Sequence, residues 1–346
     1  MYTLGGGAHG TRPRRKTRSG VDEVSIDELW RDARDLDAAA ALTPRIDRYC
    51  SSSRWVLPAQ RAFHEEAQPL ILRSPAGFAA LCRGEAPTIG RYLAALEATW
   101  GFACPLLGPD PEQLARDFYR AAMARRERWD ALWLGGLDRQ GPAFRALARL
   151  FSTVASVRLG PVTNRYAARL DGGVEGWLGR RSPHFRANLR RTLRAAARAG
   201  VTFERLRPGP GDDPRALFRR VLAVEARSWK GRSESGFNVG GMRVFYELSF
   251  DRLVPAGELR LIVAKNETMD LGFIFGGVFH GTYRGLQMSF DEDHRHLGLG
   301  NALQSEMISA LAEEGVEVYD LGSEIAYKER WADPGISTVT LAVLRG

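Results

Sequence analysis

The hexapeptide Arg295-His296-Leu297-Gly298-Leu299-Gly300 separates a strand-like stretch, Tyr283 to Asp291, from a segment in which Leu303, Met307, Ile308 and Leu311 recur at helical spacing. Two glycines one residue apart let a backbone turn sharply and approach a ligand without intervening side chains. A helix opening directly behind them presents unpaired N–H groups and the positive end of its dipole. Together these make an anion site suited to a pyrophosphate. Arg295 at the mouth would add a charge-assisted contact. The three glycines and βαβ setting of a dinucleotide fingerprint are absent.

The flanks of the hexapeptide have a clear order. Upstream, Glu258–Ala264, Leu271–Phe279 and Tyr283–Asp291 read as strands joined by turns at Asn266–Asp270 and His280–Thr282, an antiparallel meander. Downstream, after a loop at Glu292–Leu299, come a helix from Gly300 to about Glu314, a strand Val316–Leu321, a short helix Ile325–Ala332 and a last strand Ser337–Leu344. This is an α+β order, with mixed but mostly antiparallel sheets flanked by helices. Farther upstream, Arg180–Ala199 reads as a basic amphipathic helix, with Ser182 as its cap, Pro183 at its first position and Gly200 at its end. Its arginines suit either a solvated face or contact with an anionic ligand. Phe218–Trp229 is a second helix. In the first third, Ile26–Leu42 is helical, Gln68–Arg73 and Trp129–Leu134 are strands, and Phe102–Leu107 is an apolar run. A helix runs there from Asp110-Pro111 to about Arg128, and a linker at Gly135–Pro142 leads into a helix at Ala143–Leu150.

A chain of 346 residues, 44% hydrophobic and 26% charged, suits two globular domains. No apolar run approaches the roughly 20 residues that span a bilayer. Residues 1–20 are glycine-rich and basic without an apolar core, so they read as a disordered tail and not a secretory signal; an arm for nucleic acid or a membrane surface is the alternative. Cys50, Cys82 and Cys104 are odd in number and far apart, which argues against a disulfide framework or a zinc site and for a cytoplasmic protein. The net charge of +8 favours anionic partners without choosing among them. Only four of 49 basic residues are lysine (Lys16, Lys230, Lys265, Lys328), so a lysine can mark a place where guanidinium will not serve. Neither an HExxH, a G-x-S-x-G elbow nor a P-loop occurs, which leaves metal-dependent, serine-hydrolase and P-loop chemistry without support.

An R-x-x-G-x-G loop after the third strand of a meander, followed by a helix and a strand, resembles the coenzyme A pyrophosphate loop of the GNAT acyltransferases. Phe185-Arg-Ala-Asn-Leu-Arg-Arg191, Glu225-Ala-Arg-Ser-Trp-Lys230, Tyr319-Asp-Leu-Gly322 and Tyr327-Lys-Glu-Arg-Trp331 are similar to one branch of that superfamily. It is the cellulose-biosynthesis-associated (CelD/BcsL-type) acetyltransferases, relatives of the Fem-type aminoacyl transferases. The resemblance implies two GNAT-like units in tandem: a degenerate one over 21–158 and one with the cofactor loop over 159–346. The chain carries its own hint of duplication, since Gly108-Pro-Asp110, a helix and Trp129-Asp130 echo Asp291 to Gly300, a helix and Tyr319-Asp320.

The resemblance further implies transfer of an acyl group, expected to be acetyl, from acyl-CoA to an amine by direct attack on the thioester, without a metal. Arg295, His296, Leu297, Gly298, Leu299, Gly300 and Asn301 would hold the pyrophosphate. Met288, Ser289 and Phe290 would pair with the pantetheine arm and polarise the thioester carbonyl. Tyr327 stands where the superfamily often places the tyrosine that protonates the leaving thiolate. Asp320, Glu324 and Glu225 are the base candidates. Trp229, Lys230, Lys328 and Trp331 would meet the acceptor, a small molecule or a peptide. The donor alternatives are an acyl-carrier protein and, on the Fem-like reading, aminoacyl-tRNA bound through the basic helix. A non-enzymatic GNAT-shaped scaffold is the remaining alternative.

Overall fold

The computed structural model describes residues 21–345; the expected tail, 1–20, lies outside them. The first half runs β1 (Asp22–Val24), α1 (Ile26–Arg31), α2 (Arg34–Leu42), α3 (Arg48–Ser51), α4 (Ser53–Phe63), β2 (Gln68–Ser74), β3 (Gly77–Ala86), β4 (Gly90–Ala95), β5 (Leu106–Leu107), α5 (Pro111–Met123), β6 (Ala131–Leu137) and α6 (Pro142–Phe151). β7 (Ser156–Arg169) ends the first half. There follow α7 (Gly173–Gly179), α8 (Pro183–Arg198), β8 (Thr202–Leu206), α9 (Pro214–Glu225), α10 (Trp229–Arg232) and α11 (Gly240–Leu253). The chain ends with β9 (Leu259–Lys265), β10 (Asp270–Phe279), β11 (Thr282–Phe290), α12 (Leu299–Glu313), β12 (Val318–Ser323) and β13 (Asp333–Leu344).

One sheet holds all the strands, in the order β1-β2-β3-β4-β6-β13-β7-β12-β11-β10-β9-β8, with β5 against β3. The same pairing occurs twice. In the first half β2, β3 and β4 form an antiparallel meander and β6 lies parallel to β4. In the second half β9, β10 and β11 form the meander and β12 lies parallel to β11. Each half borrows its closing strand. β13, the end of the chain, pairs with β6, whereas β7, from the first half, pairs with β12. β7 and β13 also pair with each other, which joins the two sheets into one. The boundary expected at 158/159 therefore falls inside a strand.

Local sequence accounts for the main helices. Ser182 Oγ accepts from the Phe185 N–H and Pro183 opens α8; Asp110 does the same for α5 through Gln113, with Pro111 behind it. Several boundaries differ from the periodicity. The helix expected over Ile26–Leu42 breaks at Asp32–Ala33, and the one expected to reach Arg128 stops at Met123. The helix expected over Phe218–Trp229 starts at Pro214 and ends at Glu225, and Trp229 begins a separate turn capped by Ser228. Of the Phe102–Leu107 run only Leu106–Leu107 is strand.

Alternation along β10 divides the core between the two faces of the sheet. Phe273 and Phe275 join a cluster with Leu57, Trp129, Phe151 and Phe245 that runs through both halves. Ile274 faces the other side, with Trp177, Leu189, Leu303, Met307 and Trp331 under α8 and α12.

Candidate functional site

β11 and β12 pair at Thr282–Val318, Tyr283–Tyr319 and Arg284–Asp320, and then part. Two local devices open them. On β11, Gly285 faces Gly276 and Gln287 faces Phe275, so Leu286 is an extra residue, a bulge that bends the strand away. On β12, the Asp320 carboxylate accepts from Arg284 at 2.8 Å and from the Gly322 N–H at 2.7 Å, which draws the chain into a left-handed step at Gly322 (φ 85°). Arg165 of β7 lies 3.6 Å from Asp320 and also pairs with Asp47 of the first half. Two carboxylates and two guanidiniums thus form a buried, charge-balanced knot at the fork.

A cavity of about 540 Å³ fills the fork. Its walls are the β11 segment Gly285–Phe290, Tyr319 and Leu321 of β12, Tyr327 and Lys328 beyond it, and Trp229 and Lys230 of α10. A second cavity of about 210 Å³ lies against Gly298, Gly300, Asn301 and Trp331. Met288, Phe290, Gln304 and Tyr327 line both, so the two form a groove from the glycine loop into the fork.

Glu292–Leu297, expected as loop, is a turn of 3-10 helix, and α12 begins one residue earlier than expected, at Leu299. Gly298 caps it with φ 66°, where a side chain is strained, and a Cβ there would stand 2.8 Å from the Thr192 methyl of α8. A Cβ on Gly300 would stand 3.3 Å from the Phe290 ring. The N–H groups of Leu299 and Gly300 open the helix with no intrahelical acceptor. Arg295 and His296 are exposed beside them, Arg295 in a surface pair with Glu292 at 3.1 Å. Trp331 is buried under the groove, stacked on Trp177 at 5.7 Å and edge-on to Phe185.

Lys230 Nζ donates to Gln287 Oε1 at 2.8 Å and to the Met288 carbonyl at 3.0 Å. That carbonyl points into the fork, whereas the Asp291 N–H bonds Leu271 of the β10 side; alternation leaves Met288 and Phe290 with backbone groups toward the cavity. Burial lowers the Lys230 pKa against the pull of Glu225. Lys328 is buried, its Nζ donating to the Ser323 carbonyl at 2.9 Å; desolvation, with Arg284 nearby, lowers it to about 8 against the pull of Asp320. Tyr327 is 45% exposed at the junction of the two cavities, and burial of its phenol raises its pKa and keeps it protonated. The Ser289 hydroxyl is buried along the wall without a partner.

The three base candidates do not line the cavity. Glu225 is fully buried behind Lys230, its oxygens accepting from Ser228 Oγ and the Phe237 N–H. Asp320 is held in the ionic knot. Glu324 faces outward to Asn164 and Tyr166. The cavity also uses residues the sequence reading missed: Gln287, Gln304, Leu286 and Ile325. Gln304 was traceable, as a polar residue on the apolar face of α12; a bulge at Leu286 leaves no mark in composition.

In the first half the matching fork is filled. β4 and β6 pair over Tyr92–Ala131 to Ala94–Trp133. Beyond that, the Glu97 carboxylate gathers the N–H groups of Trp100, Gly101, Phe102 and Ala103 at 2.6–3.3 Å. This segment lies so close to β6 that a Cβ on Gly136 would come within 2.5 Å of the Ala103 backbone.

Residues 183–330 match the family model described as the acetyltransferase (GNAT) domain. No curated protein matches the sequence significantly. Among solved structures, the chain is similar to FemX at 12% identity, with 89% of this chain and 95% of FemX covered and a TM-score of 0.64. It is similar to a conserved protein of unknown function from Bacteroides thetaiotaomicron at 13% identity, with 90% and 97% covered and a TM-score of 0.61. A third neighbour is the C-terminal DUF2156 domain of a candidate lysylphosphatidylglycerol synthetase from Agrobacterium fabrum, at 17% identity, 91% and 93% covered, TM-score 0.55. At these identities the likeness is one of fold. The fold is thus that of the GNAT domains, and the family match lies within residues 183–330.

Proposed function

From that GNAT fold and its open groove, we propose that the protein transfers an acyl group, acetyl in the simplest case, from coenzyme A to an amine. The observation that carries this reading is the run of one groove from the helix-opening glycines to the fork, with Met288, Phe290, Gln304 and Tyr327 common to both ends. The pyrophosphate would meet the Leu299 and Gly300 N–H groups and Arg295. Pantetheine would lie along Met288–Phe290, its thioester carbonyl toward the backbone N–H groups of this segment, where developing negative charge is stabilised. Attack by the neutral amine nitrogen forms the C–N bond, the C–S bond breaks, Tyr327 gives its proton to the departing thiolate, and the proton shed by the nitrogen returns through water to the Tyr327 phenolate. Two ammonium groups and, among the described residues, no carboxylate along the cavity disfavour a protonated amine, so the site itself helps to hold the nucleophile neutral.

Of the two halves, we assign donor binding to the second alone, because the fork of the first is filled by residues 97–103. The test is calorimetric titration of acetyl-CoA into the protein and into Gly298→Glu. Saturable binding lost in the variant supports the reading; absence of binding by the intact protein refutes it. Tyr327→Phe is expected to lower kcat about 100-fold while donor affinity stays unchanged, since general-acid contributions are about 10²–10⁴-fold.

One observation favours a second donor class. Arg190, Arg191, Arg194 and Arg198 stand along the exposed side of α8 without a carboxylate partner, and α8 packs against α12 beside the loop. Such a ridge suits the phosphates of an aminoacyl-tRNA. Binding of charged tRNA that weakens steeply with salt, with acetyl-CoA inert, would select this reading.

A further inference from the structure

The cavity in the fork has a lopsided charge. Lys230 and Lys328 line it, and no aspartate or glutamate does among the described residues. The carboxylates that act on the two lysines are committed elsewhere, Glu225 behind Lys230 to the α10 turn and Asp320 to Arg284. An ammonium has three N–H donors. Lys230 spends two, on Gln287 and Met288, and Lys328 one, on Ser323, so both keep donors for a ligand. The Ser289 hydroxyl, buried on the same wall, has no partner at all. Leaving such a group unmatched costs about 1–3 kcal/mol, and an anion is the ligand that accepts from ammonium and hydroxyl donors alike. The rim is apolar, with Trp229 (55%) and Ile325 (51%) exposed at the mouth. A polycationic amine finds no counter-charge in this cavity.

We infer that the acceptor is an amine that itself bears an anionic group, a carboxylate or a phosphate, held by Lys230, Lys328 and Ser289. This rests on the acyl-transfer reading of the fork and names the class of acceptor it takes. Amino acids and phosphorylated amino sugars belong to the class; polyamines do not.

Two matched pairs test it: glucosamine 6-phosphate against glucosamine, and L-leucine against L-leucinamide. Protein saturated with acetyl-CoA is offered each, with binding read from tryptophan fluorescence and transfer from thiol release. The inference expects the anionic member of at least one pair to bind tenfold or more tighter than its twin, and the pair that responds tells phosphate from carboxylate. That preference should vanish in Lys230→Gln/Lys328→Met, while acetyl-CoA affinity is kept. Equal handling within both pairs, or preference for the uncharged twins, overturns it. If acetyl-CoA itself does not bind, the transfer reading has failed, and inorganic phosphate alone still tests the anion site. Phosphate should raise the melting temperature of the donor-free protein more than that of the double variant; an equal rise in both overturns the inference.

Discussion

Replacing Gly298 by alanine puts two separable strains on the loop. The backbone at φ 66° charges a Cβ about 1–2 kcal/mol for the left-handed region. The same Cβ would stand 2.8 Å from the Thr192 methyl, inside the contact distance of about 3.5–4.0 Å, so α8 or its side chain must give way. Overpacking of this kind adds roughly 1–3 kcal/mol. Gly298→Ala should therefore lower the stability of the chain by about 2–5 kcal/mol in urea denaturation. Thr192→Ser deletes that methyl and leaves the hydroxyl. In the Thr192→Ser background the alanine should cost only the backbone strain, about 1–2 kcal/mol. Calorimetry with acetyl-CoA reads the second consequence. Since the strain falls on the residue that aims the first N–H groups of α12, Gly298→Ala should weaken donor binding at least tenfold, about 1.4 kcal/mol, and Thr192→Ser should restore part of it. An identical stability loss in both backgrounds would refute the steric argument. Lost stability with unchanged donor affinity would show that the loop does not hold the donor.

Three further outcomes follow from buried groups. The folded Lys328 releases its proton near pH 8 and the unfolded lysine near 10.5, so the unfolded chain binds more protons between them and stability rises with pH across that window. Urea midpoints at pH 8 and pH 10 should rise less in Lys328→Met than in the wild type, and equal changes would refute the assignment. Burial pushes the Cys82 thiol up to about 11, Cys104 up to about 12 and Cys50 well above its ordinary value, so no thiol should react with a disulfide reagent at pH 8 until the chain unfolds. Glu97→Gln keeps the shape but weakens an acceptor of four N–H groups; a loss of about 1–3 kcal/mol is expected in denaturation, with acetyl-CoA affinity unchanged.

The second half was the more legible part of the chain. Its meander strands alternate cleanly, its turns carry Asn, Asp and Gly, and the glycine pair marks a helix start by backbone need alone, so β9 to β12 and α12 stand within a few residues of where the pattern puts them. Tyr327, Met288, Ser289, Phe290, Lys230 and Lys328 all line the groove. β3, β4 and β7 were missed. β3 and β4 are rich in small residues such as Ala79, Ala80, Ala94 and Ala95, and β7 mixes arginines with Gly160 and Pro161, so neither shows a clear period of two.

Local pattern determined by itself which segments could be strand or helix and where an anion could meet a helix start, because both depend on residues adjacent in sequence. Which carboxylates reach the cavity was decided by tertiary structure. Asp320, Glu225 and Glu324 all lie near the right motifs, yet each is turned away by a partner distant in sequence: Arg284 for Asp320, the Phe237 N–H for Glu225, and Asn164 for Glu324. The exchange of β7 and β13 between the halves is equally non-local. A strand's face is written in its own alternation, but its neighbour in the sheet is set by the packing of the whole core.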